Sequence, residues 1–330
     1  MNVIQRPGTQ EFSATMPDYI IDTDSTISFS VLYNGKKILD EEYSPDANFQ
    51  VRIRQLGKYC ALALWGEWCS TTYKRQENVA GTFTFLINGV TNATTYIMFS
   101  RLKTKKTAIN PGWLTEVQEK VTREGLYEYA SSLFTSGEIA IVTARTESGA
   151  TDSKTLYTHS GSTGIVTLDV SLAKIRSLFS SIGKIQTYQV IKGSHSFKFK
   201  VDQNEYTEVH QFRCKNVYDV PETVSTVGPI TIKGNNESDL ASLYGMKRKF
   251  AVTVTDEYTA NSGTIFLQSD YKLWHNFLNA QENSFRQEDR WLEINITKQN
   301  YEREHSKAAL KEVEFNFQMA DPEENNLIEV

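Results

Sequence analysis

The sequence predicts a mainly β protein: two tandem, duplicated antiparallel β-sandwich (Ig-like) domains and a C-terminal β-rich α+β domain. Three observations carry that reading. The second third of the chain repeats the first in order and almost in spacing. Phe49–Leu64 lies over Ile165–Ser180, with Leu56 on Leu172 and Lys58 on Lys174 and one residue of slippage in the strand. Ile27 and Phe29 fall on Ile139 and Ile141, Tyr43 on Tyr157, and Phe83, Phe85 and Ile87 on Phe197, Phe199 and Val201. A repeat of this length is a duplicated domain, longer than the 20–50 residues of a solenoid unit. Short period-2 segments are separated by turn signals, as in a sandwich. The 16 Tyr and 17 Phe suit pleated, half-buried surfaces.

The first domain is expected at 1–106. Its strands are predicted at Thr26–Tyr33, Lys37–Tyr43, Phe49–Arg54, Gly81–Asn88 and Thr94–Leu102. Asn34-Gly35 is a type I′ hairpin signal, because both central positions need φ > 0. Gln55–Leu64 reads as a short helical crossover. A helical connector is expected at 107–137: Asn110-Pro111 resembles a helix start, and Trp113, Leu114, Val117 and Val121 suit one helical face. Leu126, Tyr129, Ala130 and Leu133 read equally as its continuation or as an edge strand.

The second domain is expected at 138–216 and the C-terminal domain at 217–330. In the latter, Phe250–Thr255 and Thr264–Gln268 read as a hairpin around Asn261-Ser262-Gly263. Ser269 is the predicted N-cap of a helix through Tyr271, Trp274, Phe277 and Leu278. Strands follow at Trp291–Thr297 and Val313–Met319, then an acidic tail at Asp321–Asn326. Phe85, Phe199 and Phe315 are expected to centre three separate cores.

Bulk properties exclude several classes. A net charge of −5 disfavours a dedicated nucleic-acid binder. The clusters Lys103–Lys106 and Lys247–Lys249 read as solvated loop charge. No stretch is long and apolar enough for a membrane-spanning helix, and the N-terminal segment lacks the apolar run of a secretory signal. Cytoplasmic synthesis is the expectation. Cys60, Cys69 and Cys214 match neither a disulfide framework nor a zinc spacing.

The search for chemistry yields no catalytic set. GxSxG, HExxH, Walker and GxGxxG patterns are absent. His210 and Cys214 could be drawn as a pair, but they read better as neighbours on one strand face. Asp22, Asp24, Asp40, Glu41 and Glu42 follow no ligand order and read as exposed turn acids. No metal or cofactor is expected. The candidate ligand or partner contacts are Trp65, Trp68 and Tyr73, with Trp274 and Phe277 on the C-terminal helix. Trp65 and Trp68 could stack on a sugar or anchor an interface. The competing reading, favoured because large aromatics bury more often than they display, is that they close one end of the sandwich.

The segments NPGWLT (Asn110–Thr115), EGLYEYA (Glu124–Ala130), YSPDANFQVRIRQLG (Tyr43–Gly57) and FRCKNVYDVPETVSTVG (Phe212–Gly228) resemble tail or baseplate-associated proteins of tailed phages and prophages. That resemblance implies a non-enzymatic structural role, virion association after synthesis, and partners among other tail proteins or further copies of the chain. The alternative is a carbohydrate-binding or adhesin-like surface module, with a glycan as its ligand.

Overall fold

In the computed structural model the described residues are 1–65, 68–102, 112–179, 183–265, 267–300 and 312–321. Gly66-Glu67, the Lys103–Lys106 cluster, Asn110-Pro111 and the tail beyond Asp321 lie outside them. The chain is mainly β, with three helices among the described residues.

The first unit contains β1 (Asn2–Gln5), β2 (Gln10–Phe12), β3 (Tyr19–Asp22), β4 (Ile27–Tyr33), β5 (Lys36–Tyr43), β6 (Gln50–Ile53), α1 (Leu56–Ala63), β7 (Ala80–Ile87) and β8 (Val90–Met98). A five-stranded sheet has the order β5-β4-β7-β8-β2, and a three-stranded sheet the order β1-β3-β6. Asn34 and Gly35 take φ of 48° and 75°, the positive values that the β4–β5 turn requires.

The second unit contains β9 (Glu119–Thr122), β10 (Tyr129–Phe134), β11 (Ile139–Thr146), β12 (Thr151–Thr158), β13 (Gly164–Asp169), α2 (Leu172–Leu178), β14 (Ile185–Lys192) and β15 (His195–Val201). Its large sheet runs β12-β11-β14-β15-β9, and its small one β10-β13. The two large sheets share one order. Each also ends in a parallel edge strand, β2 on β8 and β9 on β15. Leu56 and Leu172 each open the crossover helix and are fully buried.

Three sequence expectations need correction here. Phe83 lies on β7 and Phe197 on β15, which hold different places in the common order. The structural counterpart of Phe85 is Tyr188: each lies on the strand paired with β4 or β11, opposite Val31 and Ala144 respectively. Both strands of a hairpin carry apolar residues at period 2, so pattern alone cannot say which aromatic strand matches which. Ile27 and Ile139 are also out of step by one residue. Ile27 pairs Tyr43, whereas Tyr157 pairs Ala140; Ala140 is buried and Ile139 is 43% exposed. A one-residue slip reverses the face of every side chain.

The helical connector is the third. Among its described residues, 112–137, there is no helix. Trp113 bridges Ser132, Leu114 N–H donates to the Ser131 carbonyl at 2.8 Å, and β9 and β10 belong to the second unit. Trp113 and Leu114 are buried in different apolar clusters, the alternation of an extended chain.

The C-terminal part contains β16 (Val209–Lys215), β17 (Pro221–Val227), β18 (Thr231–Leu243), β19 (Met246–Asn261), α3 (Gln268–Leu278), β20 (Asn283–Gln287), β21 (Arg290–Asn300) and β22 (Glu314–Met319). They form one seven-stranded sheet, β17-β16-β20-β21-β22-β19-β18. Here β16, expected in the second domain, joins the C-terminal sheet. The expected hairpin about Asn261-Ser262-Gly263 is replaced: β19 pairs β18 and β22. The helix opens one residue before Ser269, with Leu267 as N-cap and no side-chain capping bond.

Two apolar clusters result. Phe85 belongs to that of the first unit, whereas Phe199 and Phe315 share the other. The expectation of three separate cores is therefore corrected: the second unit and the C-terminal sheet are packed through one continuous interior. Phe85→Ala and Phe199→Ala should each lower unfolding free energy by about 3–5 kcal/mol, read by chemical denaturation. Gly57→Ala should also destabilise, although Ala is the better helix former. Its Cβ would sit 1.8 Å from the Ser13 carbonyl oxygen, and thermal unfolding would show the loss.

Candidate interaction surface

The segment after α1 ties the two units together. Trp65 is 60% exposed, while Trp68 packs on the first cluster and Tyr73 on the second. Tyr73 N–H donates to the Thr167 carbonyl (2.6 Å) and Gln76 N–H to the Ile165 carbonyl (2.7 Å), so residues 73–76 add to the free edge of β13. The Tyr73 hydroxyl donates to the Asp169 carbonyl at 3.1 Å, and burial pushes it well above the ordinary tyrosine value. Arg75 crosses over Gly164, where a Cβ would come within 2.7 Å of its Nε. Trp68 and Tyr73 are thus largely committed inside the chain, and Trp65 is the one of the three that faces solvent.

Trp68 also meets the C-terminal sheet. The Arg213 guanidinium lies 4.8 Å from the Trp68 ring and 4.5 Å from the Trp291 ring, an arrangement in which a cation faces two aromatic quadrupoles. Burial lowers the affinity of Arg213 for its proton. Beside it is a cleft of about 300 Å³ lined by Trp68, Ser70, Asn283, Glu293 and Asn295.

Trp274 and Phe277 correct the expected C-terminal contact surface. They are 4% and 0% exposed, and their rings pack on each other and on Phe315. The amphipathic pattern marked the inner face of α3, which covers the sheet.

Buried charge joins the second unit to that sheet. Lys120 Nζ donates to Glu128 Oε2 (2.5 Å), to the Thr223 carbonyl (2.8 Å) and to Thr223 Oγ1 (3.1 Å). Arg123 reaches Asp202 and Ser225 at 3.0 and 2.8 Å. On α3, Asp270 faces this cluster with one carboxylate oxygen lacking a hydrogen-bond partner. Burial pushes its pKa up to about 7, against the opposing pull of Lys120, the Val121 N–H and Arg123, with Glu128 adding to the rise.

No group of three His, Cys, Asp or Glu among the described residues could hold a metal ion. His159 is occupied structurally, with the Tyr157 hydroxyl at 3.0 Å and the Ser162 carbonyl at 2.9 Å. Burial pushes the Cys60 thiol up to about 12 and holds Cys214 protonated as well. No helix among the described residues is long and apolar enough to cross a membrane.

One exposed feature that displays apolar side chains was missed in the sequence. Strands β18 and β19 form a long hairpin whose turn, Tyr244-Gly245, has φ of 50° and 80°. β18 is the edge of its sheet, and β19 pairs β22 only over Tyr258–Asn261. The rest is a two-stranded ribbon. Its described side chains at 231–235 and 239–249 are all exposed, including Leu243 (51%), Tyr244 (94%) and Met246 (57%) at the tip. Lys247–Lys249, read as loop charge, lie on β19. The signal that could have shown the arm is Tyr244-Gly245 between two runs without a buried alternation.

No protein-family model matches the chain, and no curated protein matches it. Among solved structures, a chain from the virion of a native gene transfer agent particle is 14% identical, covers 36% of this chain and 95% of its own, and has a TM-score of 0.24. A chain from the tail of an empty gene transfer agent particle, computed with helical refinement and C6 symmetry, is 13% identical, covers 34% and 91%, and has the same TM-score. Likenesses at that score carry no argument about role.

The raised Asp270 carboxyl predicts a pH dependence. An unfolded Asp releases its proton near pH 3.9, whereas the folded protein keeps it to about 7. The contribution of this group to stability is therefore full below the ordinary carboxylate range and is lost as pH rises through about 7. Asp270→Asn should flatten that part of the decline, seen as a shallower fall of thermal midpoint between about pH 5 and 7.5.

Proposed function

We propose that this chain is a non-enzymatic structural protein of a phage or prophage tail, acting through protein–protein contacts and built from two tandem copies of one sandwich with a C-terminal sheet. The observation that carries the reading is the β18–β19 arm. A two-stranded ribbon exposed on both faces is marginal in water by itself. A partner that covers the arm would supply the burial that it lacks, and Leu243, Tyr244 and Met246 at its tip are the residues suited to enter that partner. The likeness of Tyr43–Gly57 and Phe212–Gly228 to tail-associated proteins agrees with this role.

The glycan-binding reading draws on exposed Trp65 and on the polar cleft beside Trp68. A sugar titration that depends on Trp65 would favour it. Mass spectrometry of purified particles tests the structural reading: the protein should be a stoichiometric component. Leu243→Asp combined with Tyr244→Ser should leave the thermal midpoint unchanged, because both residues are exposed. The same variant should reduce incorporation into particles by at least about tenfold, equivalent to roughly 1.4 kcal/mol of contact energy. Wild-type incorporation of this variant would remove the arm from the argument.

A further inference from the structure

Strand β18 ends the seven-stranded sheet with a free edge 13 residues long. Such edges are commonly guarded by proline, by a bulge, by short length or by charge. β18 has no proline. The irregularity of its ladder falls on the other strand: Asp239 pairs Ala251 and Leu240 pairs Lys249, so the extra residue, at position 250, is on β19. Charge is present, with Lys233 and Asp239 both exposed. Beyond the β22 contact the ribbon has only two strands, too few for stability of its own. A further strand on the free edge of β18 would remedy that.

The sequence of β18 is complementary to itself. Run antiparallel to a second β18 about position 236, it sets Ile232 opposite Leu240 and Lys233 opposite Asp239, each pair twice by symmetry. All four residues are exposed, Ile232 by 48% and Leu240 by 58%. The members of each pair are an even number of residues apart, so both point to one face of the joined sheet, as direct opposition requires. Apolar meets apolar and cation meets anion, the cross-strand pairs that stabilise a sheet. Inside the ribbon Asp239 lies opposite Ala251, and Lys233 opposite Glu257, whose Oε1 accepts from the Thr297 hydroxyl at 3.1 Å. Neighbouring registers lose the match. Centred on 237, Ile232 meets Ser242 and Lys233 meets Ala241. Centred on 235, Lys233 meets Glu237, but Asp239 meets Thr231 and Leu240 meets Ile230, which precedes β18 and packs on the core.

We infer that β18 is the contact strand for a second copy of this chain, paired antiparallel about a two-fold axis at position 236. The inference rests on the assembly reading and names one partner in it. The two ribbons become one four-stranded sheet, β19-β18-β18-β19, and both free edges become interior. The contact is isologous, with the same patch on each copy, so it closes as a dimer. Leu243, Tyr244 and Met246 at the tip lie beyond the paired span, so the contacts assigned to them above are separate.

Sedimentation of the full chain over a wide concentration range tests this. The wild type should dimerise. Lys233→Glu and Asp239→Lys should each weaken dimerisation by at least about tenfold, with unchanged thermal midpoints, because both positions are exposed. An equimolar mixture of the two variants should dimerise as the wild type does, since each strand then meets an opposite charge at both places. The chain carrying both substitutions should dimerise too, which keeps the test valid if a single variant folds poorly. The register centred on 235 gives no such rescue, because Asp239 has no charged partner in it. A monomeric wild type, single variants that dimerise normally, or a mixture as weak as its components would each overturn the inference. Detection of the protein in purified particles is independent: its presence beside a monomeric wild type would sink the second-copy pairing alone, and its absence beside charge-dependent dimerisation would sink the tail role alone.

Discussion

The Lys120 ammonium is the constraint around which the second half of this protein is arranged. It sits on β9 with 4% residue exposure, and its three hydrogen bonds go to Glu128, before β10, and to Thr223 on β17. Thr223 Oγ1 also donates to Glu128 Oε2 at 2.8 Å, so the carboxylate is held from two sides. An ammonium taken out of water is tolerable only when its donors are satisfied and its charge is met. Those conditions hold in one relative placement of β9, β10 and β17. A sliding of the C-terminal sheet past the second unit would strand a buried charge, which is far costlier than losing part of an apolar contact.

That placement explains the shared interior. Phe199 and Phe315 lie in one cluster because the sheet is locked against the unit beside it. The first unit keeps its own cluster and is joined by different means: the backbone of residues 73–76 on β13, and Leu114, Leu133, Ile165, Tyr218 and Val220 inserted into its interior. Arg213 between Trp68 and Trp291 closes the third side. The three parts are thus mutually braced, and the β18–β19 arm and the outer edge of β6 are two described features outside that bracing.

Both unbraced features expose apolar side chains on backbone that has hydrogen-bonding capacity to spare. Unpaired edges with large apolar residues are a liability in a lone molecule and an asset in an assembly. Elsewhere, His159 is engaged structurally, and the Cys60 and Cys214 thiols are held protonated by burial.

Local chemistry was legible in the amino-acid sequence. Asn34-Gly35 specified its turn, the alternation in β4, β5 and β7 specified strands, and the Leu56/Leu172 and Lys58/Lys174 matches located the crossover helices, because each depends on neighbours within a few residues. Beyond those helix starts the repeated apolar spacing misled, since Ile27/Ile139 are one residue out of step and Phe83/Phe197 lie on different strands of the common order. The pairing of Phe83 with Phe197, the connector helix, and the surface role of Trp274 and Phe277 were decided elsewhere. Each depends on which distant edge or face a segment meets: β15 for β9, Ser131 and Ser132 for Trp113 and Leu114, the seven-stranded sheet for α3. An apolar side chain records that it will be buried, not against what. For the same reason the neighbours Trp113 and Leu114 look alike in sequence, and only the tertiary arrangement, which buries them in different apolar clusters, tells them apart.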